Sequence, residues 1–142
     1  MTAKEYLAQA YRLDQRINSK LMQIDQLRSL TRKVTASYDQ EAVSHTRNVS
    51  SLQDTIIRLI EAEDELNRQI DKLVDLKMEI ASVIDQVRNE RYRLILEKRH
   101  LCFMGWDEIA RDMNCSRRWV LCEHDRALEV VDRLVQKLEA AE

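Results

Sequence analysis

The stretch "VSSLQDTIIRLIEAEDELNRQIDKLVDLKMEIASVIDQV", Val49 to Val87, carries mostly apolar residues at spacings that alternate between three and four. A repeat of 3.5 residues keeps one edge of a helix against a partner helix in a left-handed supercoil. The stretch therefore predicts a long coiled-coil helix. Two charged residues, Glu63 and Lys77, interrupt the apolar seam and lie too far apart to pair within one helix. We expect each to fix the register against a partner helix. The seam positions are Val49, Leu52, Ile56, Leu59, Glu63, Leu66, Ile70, Leu73, Lys77, Ile80, Ile84 and Val87.

A less regular repeat occupies the start of the chain and predicts a first helix over about 3–34. The second helix is predicted over 49–88, with Asn89 as its stop. The segment between them, 35–48, is rich in Ser, Thr, Asp and Asn and has no helical period, so it is predicted to be a loop. Two long helices joined by such a loop predict an antiparallel coiled-coil hairpin over 1–88. The apolar repeat of the first helix consists of Tyr6, Ala10, Leu13, Ile17, Ile24, Leu27 and Val34.

The composition favours helix throughout, because the chain has no proline, one glycine and 34% charged residues. The fold class is therefore predicted to be all-α. A net charge of −2 does not by itself point to a polyanionic partner. No stretch approaches the roughly 18 apolar residues of a membrane span, so no membrane partner is expected. The three cysteines fit no disulfide framework, and we expect a cytoplasmic protein.

A second apolar row lies beside the main seam of the second helix. A two-helix hairpin covers about one stripe of each helix, so this row predicts a further partner. This partner is interpreted as a second copy in a homo-oligomer or as another protein. Alternatively, the C-terminal region folds back onto the row. The row consists of Ile57, Ile60, Val74, Leu76 and Val83.

The last part of the chain, 89–142, departs from the heptad rhythm and is predicted to form a separate domain. Gly105 is predicted to be the N-cap of a short helix, Trp106 to Met113. Asn114 then suits a left-handed turn, and Ser116 is predicted to cap a helix that continues to about residue 139. A short helix, a tight turn and a second helix form the helix-turn-helix arrangement that places its second helix in the major groove of DNA.

The inner and outer faces of this arrangement follow from residue size and polarity. Ile109, Met113, Cys115 and Val120 are predicted to pack inward, with the small Ala110 at the helix crossing. Arginines near a helix N-terminus can hydrogen-bond to guanine or to phosphate, so Arg117 and Arg118 are the leading candidates for DNA contact. The predicted DNA-binding face is Ser116, Arg117, Arg118, Leu121, Cys122 and Asp125.

A basic group beside the first helix of this domain supplies candidate phosphate contacts: Arg91, Arg93, Lys98 and Arg99, with Arg88 adjacent. Residues 90–142 nevertheless hold ten Lys and Arg against eleven Asp and Glu, a net charge of −1. A single copy is therefore expected to bind DNA weakly and with a shallow dependence on salt. Association of copies through the hairpin would raise the effective concentration of the second contact.

Other site chemistries find little support in the sequence. Cys122 and His124 lie two residues apart on a predicted helix and point to nearly opposite faces, so no metal site is expected. No phosphate-binding glycine loop or nucleophile motif occurs, so we expect no cofactor, no small-molecule substrate and no enzyme activity. Trp119 is predicted to pack against Tyr92 and Leu96, and Trp106 to cover the helix junction with Phe103.

The stretch "LILEKRHLCFMGWDEIARDMNCSRRWV" followed by "RAL" resembles region four of bacterial sigma factors. The sequence departs from that pattern at His124, where sigma factors have an apolar residue, and at Leu121 and Cys122, which replace polar residues. A hairpin leaves no room for a promoter-melting sigma region two, so a complete sigma factor is not expected. The matching residues are Leu101, Glu108, Ile109, Ala110, Ser116, Val120, Arg126 and Ala127.

The whole chain also resembles a group of small proteins from phages and prophages of Gram-positive bacteria, whose N-termini are similar to "TAKEYLAQAYRLDQRINSK". Related short phage regulators act in late-gene transcription. The resemblance implies a transcription regulator in the host cytoplasm whose helix-turn-helix binds DNA or RNA polymerase. Two alternatives stay open: an oligomeric adaptor, for example in phage DNA packaging, and an RNA polymerase-binding module without its own DNA recognition.

Overall fold

The computed structural model describes the backbone of residues 1–40 and 45–142 and the side chains of residues 1–33, 36 and 51–142. All regular secondary structure in this part of the chain is helical, as the composition predicted. A π-helical segment, Glu97–Leu101, continues α3. The five α-helices are α1 (Ala3–Gln40), α2 (His45–Asp85), α3 (Glu90–Leu96), α4 (Trp106–Asp112) and α5 (Arg117–Ala141).

The chain divides into two compact units, and the division falls within both long helices. The first unit combines Met1–Leu13 with Leu73–Glu142, and the second is Asp14–Lys72. The predicted domain boundary at 88–89 lies between α2 and α3, whereas the compact units are divided elsewhere. Contacts therefore group the start of α1 and the end of α2 with the three C-terminal helices.

A large core packs the helices of the first unit together. It draws the first turns of α1 against the end of α2 and against α5. The backbone N–H of Ala3 also donates to Asp132 Oδ1 at 2.5 Å. Burial of so many aliphatic side chains makes the hydrophobic effect the main stabilising contribution. The buried residues are Ala3, Tyr6, Leu7, Ala10, Ile80, Val83, Ile84, Val87, Leu96, Ala127, Val131 and Val135.

The described residues of the second unit are segments of the two long helices. Ile17, Ile24 and Leu66 are its buried apolar residues among those described, and all three are predicted seam positions. Arg28 Nη2 donates to Glu63 Oε1 at 2.8 Å. Glu63 therefore pairs with a residue of the other long helix, which agrees with its predicted role in setting register.

The predicted loop over 35–48 is wrong wherever the backbone is described, because α1 continues to Gln40 and α2 begins at His45. Residues 41–44 lie outside the described part. The segment contains no glycine or proline to break a helix. Hydroxyl side chains also remain compatible with these helices: Thr55 Oγ1, for example, donates to the carbonyl oxygen of Ser51 at 2.8 Å. A polar composition alone therefore did not identify a loop.

The second predicted helix ends earlier than expected, at Asp85 rather than residue 88. Its last turn tightens through hydrogen bonds from the N–H of Gln86 to Val83 at 3.1 Å and from the N–H of Val87 to Ile84 at 2.9 Å. Asn89, predicted as a helix stop, is instead the N-cap of α3. Its side chain accepts hydrogen bonds from two backbone N–H groups of the first turn.

The second apolar row has two different environments. Val83 is buried and Leu76 packs against the core of the first unit. Ile57 and Ile60 are each 53% exposed, and Val74 is 50% exposed. Within the first unit, the core therefore covers Leu76 and Val83 and leaves Val74 exposed. Within the described residues, no helix is long and apolar enough to cross a membrane.

Candidate nucleic-acid interface

Two helices, α4 and α5, meet through a tight connection whose local geometry matches the prediction. Gly105 is the N-cap of α4, with extended backbone angles. Asn114 adopts a φ of 55°, the left-handed conformation that asparagine tolerates. Ser116 caps α5, since its hydroxyl accepts a hydrogen bond from the N–H of Trp119 at 3.1 Å. Each feature depends on a residue and its nearest neighbours, which is why the sequence revealed it.

A compact apolar cluster fixes α4 against α5 and α3. Ile95, Ile109, Ala110 and Val120 are buried in it. The α3 contribution, Ile95, ties the two helices to the rest of the first unit. The predicted inward packing of Ile109, Met113, Cys115 and Val120 is confirmed. The partly buried members of the cluster are Met104, Trp106, Met113, Cys115 and Trp119.

Trp119 belongs to this cluster, while Tyr92 and Leu96, its predicted neighbours, belong to the core of the first unit. Trp106 and Phe103 were predicted to act together, but they have different ring partners. The ring of Trp106 meets that of His124 edge-on at 4.6 Å. The ring of Phe103 meets Tyr11 at 5.8 Å.

The N-terminal half of α5 presents the predicted outer face. Arg117, Arg118, Cys122 and Asp125 are exposed, as is Ser116 at the cap, whereas Leu121 is half-buried. Arg117 Nη1 lies 3.5 Å from Asp107 Oδ1, in a pair whose side chains are both largely exposed. Such a pair contributes little stability and opens readily. Arg118 has no ion pair or hydrogen bond among the described side chains, so its guanidinium is available to an anion.

Two of the candidate phosphate contacts, Arg91 and Arg93, lie in the first turns of α3. Arg93 Nη1 donates to the carbonyl oxygen of Val87 at 3.1 Å and so holds the α2–α3 connection. The guanidinium carbon of Arg91 lies 6.0 Å from the centre of the Trp119 ring, at the limit of a cation–π contact. Arg91 remains exposed, and Arg93 is half-buried.

The other two candidates stabilise the segment before α4. Lys98 forms an ion pair with Asp112 at the end of α4. Arg99 Nη1 donates to the carbonyl oxygen of Met104 at 3.0 Å, and its guanidinium carbon lies 4.4 Å from the centre of the Trp106 ring. These side chains have structural contacts that the sequence did not indicate. Their role toward phosphate stays a prediction.

His100 and His124 face each other across the junction of the π-helical segment and α5. Their Nε2 atoms are 2.9 Å apart, and their ring centres are 5.1 Å apart with an angle of 26° between the ring planes. The rings are therefore close to coplanar and meet end to end, with nitrogen facing nitrogen. One Nε2–H donates to the lone pair of the other, so the hydrogen bond requires at least one neutral ring.

Burial lowers the pKa of both histidines. Desolvation, with contributions from His124 and Arg99, lowers the pKa of His100 to about 3. Desolvation also lowers the pKa of His124, to about 4. The negative charge of Asp125 opposes this shift, and the positive charges of Arg99 and Lys4 add to it. The pair is therefore neutral at neutral pH and acts as a polar contact within the fold.

The expectation that the chain has no metal site concerned one of these histidines, His124, together with Cys122. The facing nitrogens of His100 and His124 point at each other rather than at a common third point. No group of three or more histidine, cysteine or acidic side chains within the described residues could hold a metal ion. Cys102 and Cys122, the neighbours of the two histidines in the sequence, are exposed. The sequence showed the pairs His-Leu-Cys and Cys-Glu-His but gave no signal that the two imidazoles meet.

A comparison with known protein families assigns the chain to one of them. Residues 33–132, more than half of the chain, match the family described as "Protein of unknown function (DUF1492)". The chain belongs to this family. The DUF1492 match covers α2, α3, α4 and the outer face of α5. No curated protein and no solved structure matches the chain.

Proposed function

We propose that the chain is a phage-type transcription regulator that binds DNA through α4 and α5. In this proposal the two helices form a helix-turn-helix similar to sigma region four, and α5 enters the major groove with its N-terminal half. The long helices α1 and α2 form a coiled-coil hairpin through which copies associate. The resemblance of the sequence to sigma factors and to phage proteins supports the regulatory role.

The observation that carries the DNA-binding proposal is the exposed outer face of α5. Among the described residues, Arg118 is solvent-exposed with no ion pair, and Arg117 has an exposed contact to Asp107. Both lie in the first turn of α5, where guanidinium groups of a recognition helix reach base edges or phosphates. The buried cluster around Ile109 and Val120 holds this face at a fixed angle to α4. A preorganised face loses little conformational entropy on binding.

The exposed apolar side chains of α2 support self-association. Ile57 and Ile60 are each 53% exposed, and two seam residues, Ile56 and Ile70, are 39% and 37% exposed. A second copy that covers these isoleucines would remove them from water. Two copies would also join two weak DNA contacts, which suits a domain with a net charge of −1 over residues 90–142.

The test begins with selection of bound sequences from random DNA, followed by gel shifts with the selected site. The double variant Arg117→Ala/Arg118→Ala should abolish the shifted band. The matched control is Arg133→Ala/Lys137→Ala, which removes two exposed cations from the same helix and should retain binding. If the Arg117→Ala/Arg118→Ala variant still binds the selected DNA at normal salt, the first turn of α5 is not the DNA contact.

The oligomeric state separates the regulator from the alternative of an adaptor for DNA packaging. Light scattering of the free protein should give the mass of a dimer or another small assembly for a regulator. A ring of many copies would favour the adaptor. The variant Ile57→Ser/Ile60→Ser should lower the mass if these isoleucines form the contact between copies.

A second candidate is an RNA polymerase-binding module. The observation in its favour is that Arg93, Lys98 and Arg99 make structural contacts, which leaves a less basic surface for phosphates. The half-buried Leu121 on the outer face of α5 suits a protein partner better than a base edge. Capture of polymerase by the immobilised protein in the absence of DNA would support this function.

A further inference from the structure

The structure contains a cavity of about 460 Å³ beside the C-terminal half of α5. The connection between α2 and α3 forms its other side. This volume lies within the range of roughly 300–1,000 Å³ found for ligand pockets. The cavity belongs to the first compact unit, whose core forms its floor.

Every charged residue that lines the cavity is a cation: Arg88, Arg133 and Lys137. No Asp or Glu of the described residues lines it, although the chain as a whole has a net charge of −2. None of the three cations forms an ion pair with another described residue. By comparison, Arg117 and Lys98 each form an ion pair with an aspartate. The charged side chains that line the cavity are therefore all positive, and no ion pair within the described residues holds them.

Two of these cations are close together on α5. Arg133 and Lys137 lie four residues apart on α5, so their side chains occupy neighbouring positions on one face. Like charges at this spacing destabilise a helix by a few tenths of a kcal/mol. An anion bound between the two side chains would remove this repulsion, because it is attracted to both.

The floor of the cavity is apolar. Val87 is buried, and Tyr92, Val130 and Leu134 pack partly buried against the same core. An apolar floor with a cationic rim suits a ligand that has both an apolar or aromatic part and an anionic group. Guanidinium groups bind phosphate through two parallel hydrogen bonds, and an aromatic face such as that of Tyr92 stacks on a flat ring.

The cavity is separate from the proposed DNA-binding face. Arg118 and Arg133 are fifteen positions apart on α5, which corresponds to about 22 Å along the helix axis. A recognition helix that enters the groove with its N-terminal half directs its other half away from the bases. The three cations therefore form a site that the proposed function does not use.

We propose that this cavity binds a small organic phosphate of the nucleotide class. Arg88, Arg133 and Lys137 hold the phosphate groups, and the floor formed by Val87, Tyr92, Val130 and Leu134 receives the base or sugar. Phosphate is also present in the DNA backbone, so the experiment must separate a free nucleotide from DNA.

Isothermal titration calorimetry of the full chain with ATP, at constant ionic strength, tests the proposal. The wild-type protein should show saturable binding, with ATP binding more tightly than tripolyphosphate because only ATP reaches the floor. The variant Arg133→Gln/Lys137→Gln should bind ATP at least about tenfold more weakly, since each charged hydrogen bond contributes that much. The control Arg117→Gln/Arg118→Gln removes the same charge from the same helix and should leave ATP binding unchanged.

Circular dichroism of both variants checks that the helices remain folded, which is expected because all four side chains are exposed. Absence of saturable ATP binding at millimolar concentration would overturn the proposal. Equal losses in both variants would also overturn it, since they would indicate nonspecific charge attraction. A loss of DNA affinity in Arg133→Gln/Lys137→Gln without any nucleotide binding would assign the three cations to the DNA backbone instead.

Discussion

The imidazole rings of His100 and His124 meet end to end, with their Nε2 atoms 2.9 Å apart. This single hydrogen bond joins the π-helical segment before α4 to α5. If both rings were protonated, two N–H groups would face each other and the contact would become repulsive. The packing of the π-helical segment against α5 at this contact therefore depends on a neutral pair.

The first prediction is a loss of stability in mild acid. The pKa values of His100 and His124 fall to about 3 and about 4 in the folded chain, whereas the unfolded chain titrates near 6.5. The unfolded chain thus binds more protons between these values, so the free energy of unfolding is highest above pH 6.5 and decreases as the pH falls toward 4. Each histidine contributes a slope of up to about 1.4 kcal/mol per pH unit. Urea denaturation at pH 7.5, 6.0 and 5.0 measures the slope.

The control for this slope is the variant His100→Leu/His124→Leu, in which two apolar side chains replace the pair. Its free energy of unfolding should change less between pH 7.5 and 5.0 than that of the wild-type chain. Arg99, Lys4 and Asp125 face the histidines and remain in the variant. An unchanged slope would mean that other groups cause the acid sensitivity.

The second prediction concerns the start of α1. Leu7 is fully buried in the core of the first unit, whereas Leu30 of the same helix is 50% exposed. Leu7→Ala should lower the free energy of unfolding by about 2–5 kcal/mol, because it leaves a cavity in a packed core. Leu30→Ala should change it by less than about 0.5 kcal/mol. Equal effects in chemical denaturation would argue against the packing of α1 on α5.

The third prediction distinguishes an arginine that stabilises the fold from one whose side chain is free to bind an anion. Arg99→Ala removes a hydrogen bond to Met104 and the contact with Trp106, so it should lower the free energy of unfolding by about 1–2 kcal/mol. Arg118→Ala removes a solvated side chain and should leave stability within about 0.5 kcal/mol. Thermal unfolding compares the two. A destabilising Arg118→Ala would reveal a structural contact of that side chain.

The fourth prediction concerns a buried acid. Glu123 is 5% exposed; its Oε1 accepts from Arg126 at 3.2 Å, while Oε2 has no hydrogen-bond partner among the described residues. Burial of a carboxylate oxygen without a partner costs free energy. Glu123→Met should therefore raise the free energy of unfolding by about 1 kcal/mol, and Glu129→Met, at an exposed position of α5, should not. A destabilising Glu123→Met would point to a stabilising partner of the carboxylate.

Local signals in the sequence predicted local structure well. Gly105, Asn114 and Ser116 occupy the cap and turn positions expected of them, because a cap is satisfied by backbone groups within three or four residues. The same logic was less successful for Asn89, which caps the following helix instead of ending the preceding one. Polarity was misleading over 35–48, since a helix tolerates polar residues when no glycine or proline interrupts it.

The amino-acid sequence by itself determined that the chain is helical, which edge of α2 is apolar, and where α4 and α5 begin. Those properties depend on helical periodicity, on propensity and on caps, all of which act over a few residues. Only the tertiary structure decided that Leu7 packs in one core with Val131, that His100 meets His124, and that Arg88 and Arg133 line one cavity. The sequence of a helix determines which of its faces is apolar or charged. Which segment covers that face depends on how distant parts of the chain pack in three dimensions.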